Sequence, residues 1–387
     1  MGAELWFHDT RLAVRGLLRH PGYSLPALLT LTLGVGAGTA MFGVLQGVVL
    51  APLPYPESDR LVQVSLADPV QGTRTTFSLP DVEDFEEQSR TLEHLGAYTT
   101  LPSDLILSGA DEALEVETAY VTPGFLPALG TEPLHGRVFR REDDQGDNRV
   151  VVVSHAFWRQ HFGADPGAVG TTLELSGEPY RLIGVLPPEV AFPDTRVEAW
   201  VLLSVIPASS IPLHIRGVNL LRAVGRLAPG VTPAQAEEEL SAIAAELARL
   251  YPDSNERATG AAVQPLRESI VGDVRGALRL LMAAGGVILL IMCANLANLA
   301  LVREARRAPE VAVRSALGAS RARRAGLVLT ESLVLSLVGG GLGLLLAHWS
   351  TGLLLARSAD TLPRAHEVGV DFGVAVFALG VSVFTGL

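Results

Sequence analysis

"LRLLMAAGGVILLIMCANLANLALV" occupies residues 278–302, "REARRAPEVAVRSALGASRARRA" residues 303–325, and "GLVLTESLVLSLVGGGLGLLLAHWSTGLLLA" residues 326–356. The first and third stretches are apolar and exceed the roughly 20 helical residues that cross the ~30 Å hydrocarbon core of a bilayer. The middle stretch, hereafter the arginine-rich segment, carries seven Arg and two Glu. Because short loops rich in arginine stay in the cytoplasm, the sequence predicts a helical hairpin whose tip faces the cytoplasm.

Two further apolar runs complete the predicted membrane part. We expect an α-helical membrane protein with four spans, at residues 24–50, 278–302, 326–356 and 372–387. The last run has 16 residues, which is short of the ~20 that a span needs. We therefore expect the fourth span to be incomplete and the natural protein to continue beyond Leu387.

Charge predicts the topology. Residues 51–275 hold 17 Arg against 33 Asp and Glu, a balance of −16, whereas the arginines of residues 1–24 exceed its acids. The positive-inside rule then places the N-terminus in the cytoplasm, residues 51–277 outside and the short stretch 357–371 outside. Residues 1–23 are predicted to include an amphipathic helix that lies on membrane lipids. An acidic outer domain argues against nucleic-acid binding.

Residues 51–277 combine strand and helix patterns. The β-branched runs at 149–154 and 180–186 predict strands. Thr232, Pro233 and Gln235 form the start signal of a helix that we expect to reach about Tyr251. Mixed strands and helices predict a large inserted α+β domain.

Catalytic motifs are not found in the sequence. All 30 basic residues are arginine, so the G-x-x-x-x-G-K-[ST] motif of ATPases is missing, as are G-x-S-x-G and H-E-x-x-H. Cys293 is the single cysteine, which rules out an internal disulfide and a multi-cysteine metal site. His155 with His161, and the acidic run 142–147, lack the spacing of a recognised site. We expect a non-catalytic chain without a cofactor or metal of its own.

Three stretches carry a family resemblance. "ANLALVREARRAPEVAVRSALGASRARRAGLVLTESLVLSLVGGGLG" at 297–343, the first span with its flanks at 11–62, and "RVVVVSHAFWRQHFGADPGAVGTTLELSGEPYRLIGVLPP" at 149–188 resemble ABC transporter permeases of the MacB/FtsX type, in particular the bacterial subgroup with a duplicated permease unit. The resemblance implies an inner-membrane permease subunit. It also implies three kinds of partner: an ATPase subunit that binds ATP and Mg²⁺, a second permease half, and an envelope adaptor protein.

The resemblance also implies that the arginine-rich segment contains a coupling helix that rests on the ATPase. Pro309 suits a first helical turn, Glu310 suits the positive end of the helix dipole, and Gly318 suits a helix end. We therefore predict a short helix over residues 309–317. The alternative is a topology anchor without a partner, but a solvated anchor needs no apolar residues. The predicted coupling residues are Glu310, Val311, Val313, Arg314, Leu317 and Gly318.

Small and polar residues within the spans predict helix contacts. Two G-x-x-x-G steps in the first span predict close packing of helices; they comprise Gly34, Gly38, Gly43 and Gly47. Asn295 and Asn298, one helical turn apart, predict interhelical hydrogen bonds, either as a polar hinge or as plain packing. Glu331 is expected to pair with Arg323 or Arg324, or to cap a helix beside Thr330.

The sequence leaves three functions open. The first is a permease that passes ATP-driven motion to the outer domain. The second is a mechanical regulator of an envelope hydrolase, as in the FtsX branch. The third is a membrane-anchored binding or sensory protein without an ATPase.

Overall fold

The chain forms two units. The computed structural model describes residues 15, 17–19, 21–46, 52–68, 73–99, 105–108, 114–145, 148–190, 192–194, 196–207, 209–272, 275–316, 321–358 and 372–386. Residues from Pro52 to Gly272 form an α+β unit, and the described residues before and after it form a membrane-helix unit. The predicted N-terminal amphipathic helix lies almost entirely outside the described residues.

Ten helices are numbered in chain order among the described residues. Their bounds are α1 Pro21–Leu45, α2 Leu79–Gln88, α3 Phe125–Leu129, α4 His155–Phe162, α5 Pro233–Leu250, α6 Pro252–Asn255, α7 Leu266–Gly272, α8 Arg275–Ala316, α9 Arg321–Ser358 and α10 Phe372–Gly386. Short 3₁₀ turns lie at Ser58–Arg60, Arg141–Asp144, Pro166–Ala168 and Leu203–Val205.

One continuous sheet organises the α+β unit, and its described part has 13 strands. They are β1 Leu61–Asp68, β2 Thr73–Thr75, β3 Leu92–Thr99, β4 Leu105–Ser108, β5 Leu114–Val116, β6 Thr118–Val121, β7 His135–Gly136, β8 Val150–Val153, β9 Thr172–Leu175, β10 Glu178–Val185, β11 Ala199–Leu202, β12 Arg222–Leu227 and β13 Gly260–Pro265. The spatial order is β13-β1-β12-β3-β6-β11-β8-β10-β9-β4-β5, with β2 beside β1 and β7 beside β10. Most pairs are antiparallel, whereas β6 with β11 and β8 with β10 are parallel.

The sheet separates two apolar cores. Val151 and Val153 of β8 belong to one core, and Val150 and Val152 belong to the other. Successive side chains of a strand point to opposite faces, so a strand buried on both faces reads as a continuous apolar run. This explains the run of four valines and confirms the expected α+β domain. The two strands predicted at 149–154 and 180–186 are β8 and β10.

Helix α5 follows its sequence signal. The Thr232 hydroxyl accepts from the Gln235 backbone N–H, and the Gln235 side chain accepts from the Thr232 backbone N–H at 2.9 Å. This capping box satisfies N–H groups that a helix start leaves free. The buried stripe of α5 includes Leu240, Ile243 and Leu247, which pack on the sheet.

The membrane-helix unit contains three helices that are long and apolar enough to cross a membrane, among the described residues. The candidate spans are Pro21–Leu45, Arg279–Arg303 and Leu329–Gly352. The expected count of four spans is therefore wrong for the described chain. Helix α10 is apolar but has 15 residues, and at 1.5 Å per residue it extends only about 22 Å.

Helix α8 overturns the predicted start of the coupling helix. It is one helix of 42 residues from Arg275 to Ala316, so residues 303–308 are helical and Pro309 lies inside the helix. The reason is local: Arg, Ala and Glu are strong helix formers, and no glycine or capping residue interrupts residues 303–308. Glu310 consequently lies far from any helix N-terminus, and the dipole argument for it does not hold, because that effect is confined to the first and last turns.

Candidate functional site

The predicted coupling residues lie at the end of α8 that leads into the hairpin tip. Glu310, Val311, Val313 and Arg314 are part of the helical backbone of α8, whereas Leu317 and Gly318 fall outside the described residues. A continuous helix preserves the i,i+4 relation of Glu310 and Arg314, which places both on one face. The segment therefore extends the second span rather than forming a separate element.

A buried ion pair closes the base of this hairpin. Arg303 Nη2 of α8 lies 2.6 Å from Glu331 Oε2 of α9, and the two side chains are 13% and 7% exposed. The Arg303 guanidinium carbon also lies 4.4 Å from the centre of the Tyr23 ring in α1. This pairing with Arg303 was not expected from the sequence. The side chains of Arg323 and Arg324 fall outside the described part of the chain, so the expected pairing of Glu331 with one of them stays a prediction.

Glycines allow the first span to approach both arms of the hairpin. A Cβ atom on Gly34 would collide with Met292 Sδ of α8, and one on Gly38 would lie 3.7 Å from a Leu289 methyl carbon. Gly43 is buried, and Gly47 falls outside the described residues. Another close approach, which the G-x-x-x-G spacing did not single out, joins α1 to α9.

That approach is between Gly36 and Gly343. A Cβ on Gly343 would lie 3.0 Å from the Gly36 backbone nitrogen and 3.1 Å from the Thr32 carbonyl oxygen. Two facing glycines let the helix backbones meet, which is how small residues promote helix association in lipid. A sequence signal existed in the Gly-rich run 339–343, but its partner could not be identified without the fold.

Asn295 and Asn298 do not face another described helix of this chain. Both side chains are exposed on the surface of α8. The spanning part of α8 is also the least buried of the three candidate spans, with 11% of its residues buried against 39% for the first and 33% for the third. The predicted hydrogen bonds between helices of this chain are therefore not formed by these two amides.

The half-buried Cys293 lies on a neighbouring face of α8. It lines an apolar groove of about 370 Å³ between α8 and α10, together with Phe377 and Phe384. The described residues hold no cluster of His, Cys, Asp and Glu that could bind a metal ion. The other residues that line the groove are apolar except for Thr385.

The α+β unit contains a buried charge network that sequence reasoning missed. Arg216 donates to Asp81 and Asp84, each at 2.5 Å, and its guanidinium carbon lies 4.0 Å from the centre of the Tyr251 ring. Asn255 donates to the same Asp81 carboxylate at 2.8 Å. The network ties the loop before β12 to α2 and α6. Arg216 and Asn255 lie more than 130 residues after the carboxylates of α2 that they contact, so no local motif indicates the network.

A second buried arginine, Arg226 of β12, bonds to the backbone near the start of the α+β unit. It donates to the carbonyl oxygens of Ala128 and Pro56, each at 3.1 Å. Burial, followed by the nearby Arg60 charge, lowers the pKa of Arg226. Gly130, at φ +67°, leaves room for this guanidinium, because a Cβ there would collide with it.

Asp143 of the acidic run and His161 each contact neighbouring side chains of the α+β unit. Asp143 accepts from both terminal nitrogens of Arg137, at 2.5 and 2.8 Å, and from the Arg140 backbone N–H at 2.8 Å. These bonds, with the Arg137 side chain as the largest influence, lower the pKa of Asp143. The His161 ring contacts the Phe157 ring in a tilted arrangement with ring centres 4.5 Å apart, and burial lowers the pKa of His161. Asp147 lies outside the described residues.

Two family models match the chain. Residues 24–243 match the MacB-like periplasmic core domain, and residues 282–387 match the FtsX-like permease C-terminal domain. The first match covers more than half of the chain and includes α1 and most of the α+β unit. The second includes most of α8 and all of α9 and α10.

The chain is also similar to curated proteins and to a solved structure. An uncharacterized ABC transporter permease of Bacillus subtilis, YknZ, is 21% identical over 396 residues, covering 98% of this chain and 94% of the relative. The macrolide export ATP-binding/permease protein MacB of Bdellovibrio bacteriovorus is 23% identical over 306 residues, covering 78% of this chain and 46% of the relative. The crystal structure of the periplasmic region of MacB from Actinobacillus actinomycetemcomitans is 14% identical, with a TM-score of 0.41, covering 59% of this chain and 95% of that one. The chain thus spans about half the length of that MacB relative.

Proposed function

The chain belongs to the MacB/FtsX-type family of ABC transporter permeases, and from this premise we propose that it passes ATP-driven motion from a partner ATPase to its α+β unit. The observation that carries the proposal is the combination of both family domains with an arginine-rich hairpin in a sequence that lacks a P-loop lysine. A permease of this kind needs no catalytic residues. The partner binds ATP and Mg²⁺, and the helices of this chain transmit the resulting motion.

The arginine-rich segment is the proposed contact with the ATPase. The helix α8 continues from the span into this segment without a break, so a force on residues 309–316 acts directly on the second span. Charged side chains alternate with Val311 and Val313, which suits a surface that is partly covered by protein. The relatives named MacB combine ATP-binding and permease functions in their names, which supports the pairing of this chain with an ATPase.

The first test reverses one charge at this contact. We expect Glu310→Arg to weaken binding of the ATPase, measured by co-purification from membranes, by roughly five- to 150-fold, which corresponds to about 1–3 kcal/mol, because a docked surface loses a favourable charge. On an isolated helix the same change places two positive charges at i,i+4, since Arg314 lies four residues further on. It lowers helix stability by only about 0.2–0.5 kcal/mol. The amount of inserted chain should stay the same, and stimulation of the ATPase should fall with binding.

Arg307→Gln is the matched control for that test. It removes one of seven arginines from the segment and leaves the helix intact, so it should leave ATPase binding nearly unchanged. Equal and small effects of both variants would contradict the coupling role and favour a topology anchor. Failure of any ATPase to co-purify would favour the sensory alternative, and ATPase stimulation that does not respond to cargo would favour the hydrolase regulator.

A second permease half is proposed to cover the exposed face of α8. An amide that faces hydrocarbon without a partner is unfavourable by several kcal/mol, and this face exposes Asn295 and Asn298 in the least buried span. A second copy of this chain is the proposed occupant, because an amide both donates and accepts and so pairs with its own symmetry mate. An envelope adaptor would bind elsewhere, on the α+β unit.

The second test removes these amides. We expect the double variant Asn295→Leu/Asn298→Leu to lower the dimer association constant in lipid nanodiscs by roughly three- to thirtyfold, since interhelical hydrogen bonds contribute about 0.6–2 kcal/mol. The variant Asn295→Gln/Asn298→Gln keeps both amides and should dimerise more strongly than the leucine pair. An unchanged dimer fraction in the leucine pair would show that another surface carries the association.

A further inference from the structure

Three helices meet at one polar cluster at the base of the hairpin. Arg303 of α8 pairs with Glu331 of α9 at 2.6 Å, and its guanidinium carbon lies 4.4 Å from the centre of the Tyr23 ring in α1. Tyr23 lies in the first turn of α1, and Glu331 lies three residues into the third candidate span. The cluster therefore joins the first span to both arms of the hairpin at one level.

The cluster differs in kind from the surrounding contacts. Around it the three helices pack through apolar side chains, among them Leu31, Met292 and Leu335. Apolar packing in lipid has no hydrophobic drive. An ion pair with a ring over the cation has a defined geometry and a large cost if one partner leaves, because a lone buried charge is strongly unfavourable.

Stability alone does not account for the cluster. The Nε and Nη2 atoms of Arg303 are buried, and neither makes a hydrogen bond among the described residues. The contact with Glu331 is therefore an ion pair without hydrogen-bond geometry, and the guanidinium is incompletely satisfied. Buried ion pairs of this kind are often no more stable than apolar side chains of similar volume. What the pair provides is a fixed alignment of three helices.

The cluster is also close to the proposed ATPase contact. Pro309 lies six positions after Arg303 along the continuous helix α8, a rise of about 9 Å. We propose that Arg303, Glu331 and Tyr23 form a joint that makes the first span move together with the arginine-rich hairpin. They are positioning residues, and their role in transmission rests on the proposed function. Without the joint, the hairpin would slide past α1 on apolar contacts.

The first measurement tests the joint without any ATPase. Spin labels are placed at Leu25 and Leu301, which are 59% and 68% exposed, in the full chain with Cys293→Ser in lipid nanodiscs. The wild-type background and Tyr23→Phe, which keeps the ring, should give one narrow distance distribution. Tyr23→Leu should broaden it, as should the double variant Arg303→Leu/Glu331→Leu, which leaves no unpaired charge and should therefore insert and fold.

The second measurement separates transmission from simple structural support. In the same variants, co-purification of the ATPase should persist while its stimulation by the chain is lost. Unchanged distances in both disrupting variants would overturn the joint. Broadened distances together with loss of ATPase binding would also overturn it, since the cluster would then only maintain the fold. If the wild-type chain binds no ATPase, the proposed function fails, and the distance measurement still decides whether the first span is fixed to the hairpin.

Discussion

At the scale of single residues, one buried carboxylate links the stability of the α+β unit to pH. Arg137 holds the pKa of Asp143 below its ordinary value. A carboxyl whose pKa is depressed on folding contributes stability above its unfolded pKa of about 4, and this contribution is lost as the pH falls through the folded pKa. The 3₁₀ turn Arg141–Asp144, which Asp143 caps, should loosen in acid.

The corresponding prediction compares two neighbours. Asp143→Asn should destabilise the chain near neutral pH by about 1–2 kcal/mol, because charge-assisted hydrogen bonds weaken, and should flatten the loss of stability in acid. Thermal unfolding of the purified chain, followed by tryptophan fluorescence between about pH 3 and pH 7, measures this. Asp144→Asn alters an exposed side chain and should change little. The same acid slope in Asp143→Asn as in wild type would show that other groups cause it.

At the scale of elements, the close packing of α1 on α9 depends on glycines, which have no side chain. Gly343 faces the α1 backbone at Gly36, whereas Gly341, two residues earlier on α9, has no atom within 4 Å of its would-be Cβ. Helical residues two apart point in different directions, so the same substitution meets backbone at one site and open space at the other. The pair is a matched test of helix contact.

We expect Gly343→Leu to lower the unfolding temperature of the membrane-helix unit, with a loss of about 1–3 kcal/mol from overpacking. Gly341→Leu should have no such effect, and both changes raise helix propensity equally. Detergent-solubilised chain heated with a fluorescent reporter of aggregation gives the comparison. Similar behaviour of the two variants would mean that α1 and α9 do not meet at Gly343.

At the scale of the whole molecule, the charge bias predicts which parts of the chain face the cytoplasm and which face the outside. The predicted arrangement is N-terminus inside, α+β unit outside and arginine-rich segment inside. With Cys293 replaced by Ser, a membrane-impermeant thiol reagent should label Asp144→Cys in intact spheroplasts and should label Ser320→Cys only after permeabilisation. Labelling at position 320 in intact spheroplasts, or none at 144, would reverse the topology and remove the ATPase contact.

Several features were predictable because they are local. Runs of about 20 apolar residues such as 278–302 can satisfy their backbone groups in a bilayer only as helices, so the three spans follow from composition alone. Thr232, Pro233 and Gln235 predict the start of α5 because capping involves residues within one turn. The β-branched run 149–154 predicts a strand for the same local reason, whereas its burial on both faces was revealed only by the fold.

Other features required the tertiary structure. The parallel pairing of β6 with β11 joins segments about 80 residues apart, and no periodicity states which strands will be neighbours. Sequence proximity linked Glu331 to nearby arginines, and only the fold revealed its pairing with Arg303, 28 positions earlier in the chain. Pro309 suggested a new helix, yet the helix formers before it carry α8 through. A sequence determines which faces are apolar and where chains can turn, whereas packing geometry alone decides which distant side chains come into contact.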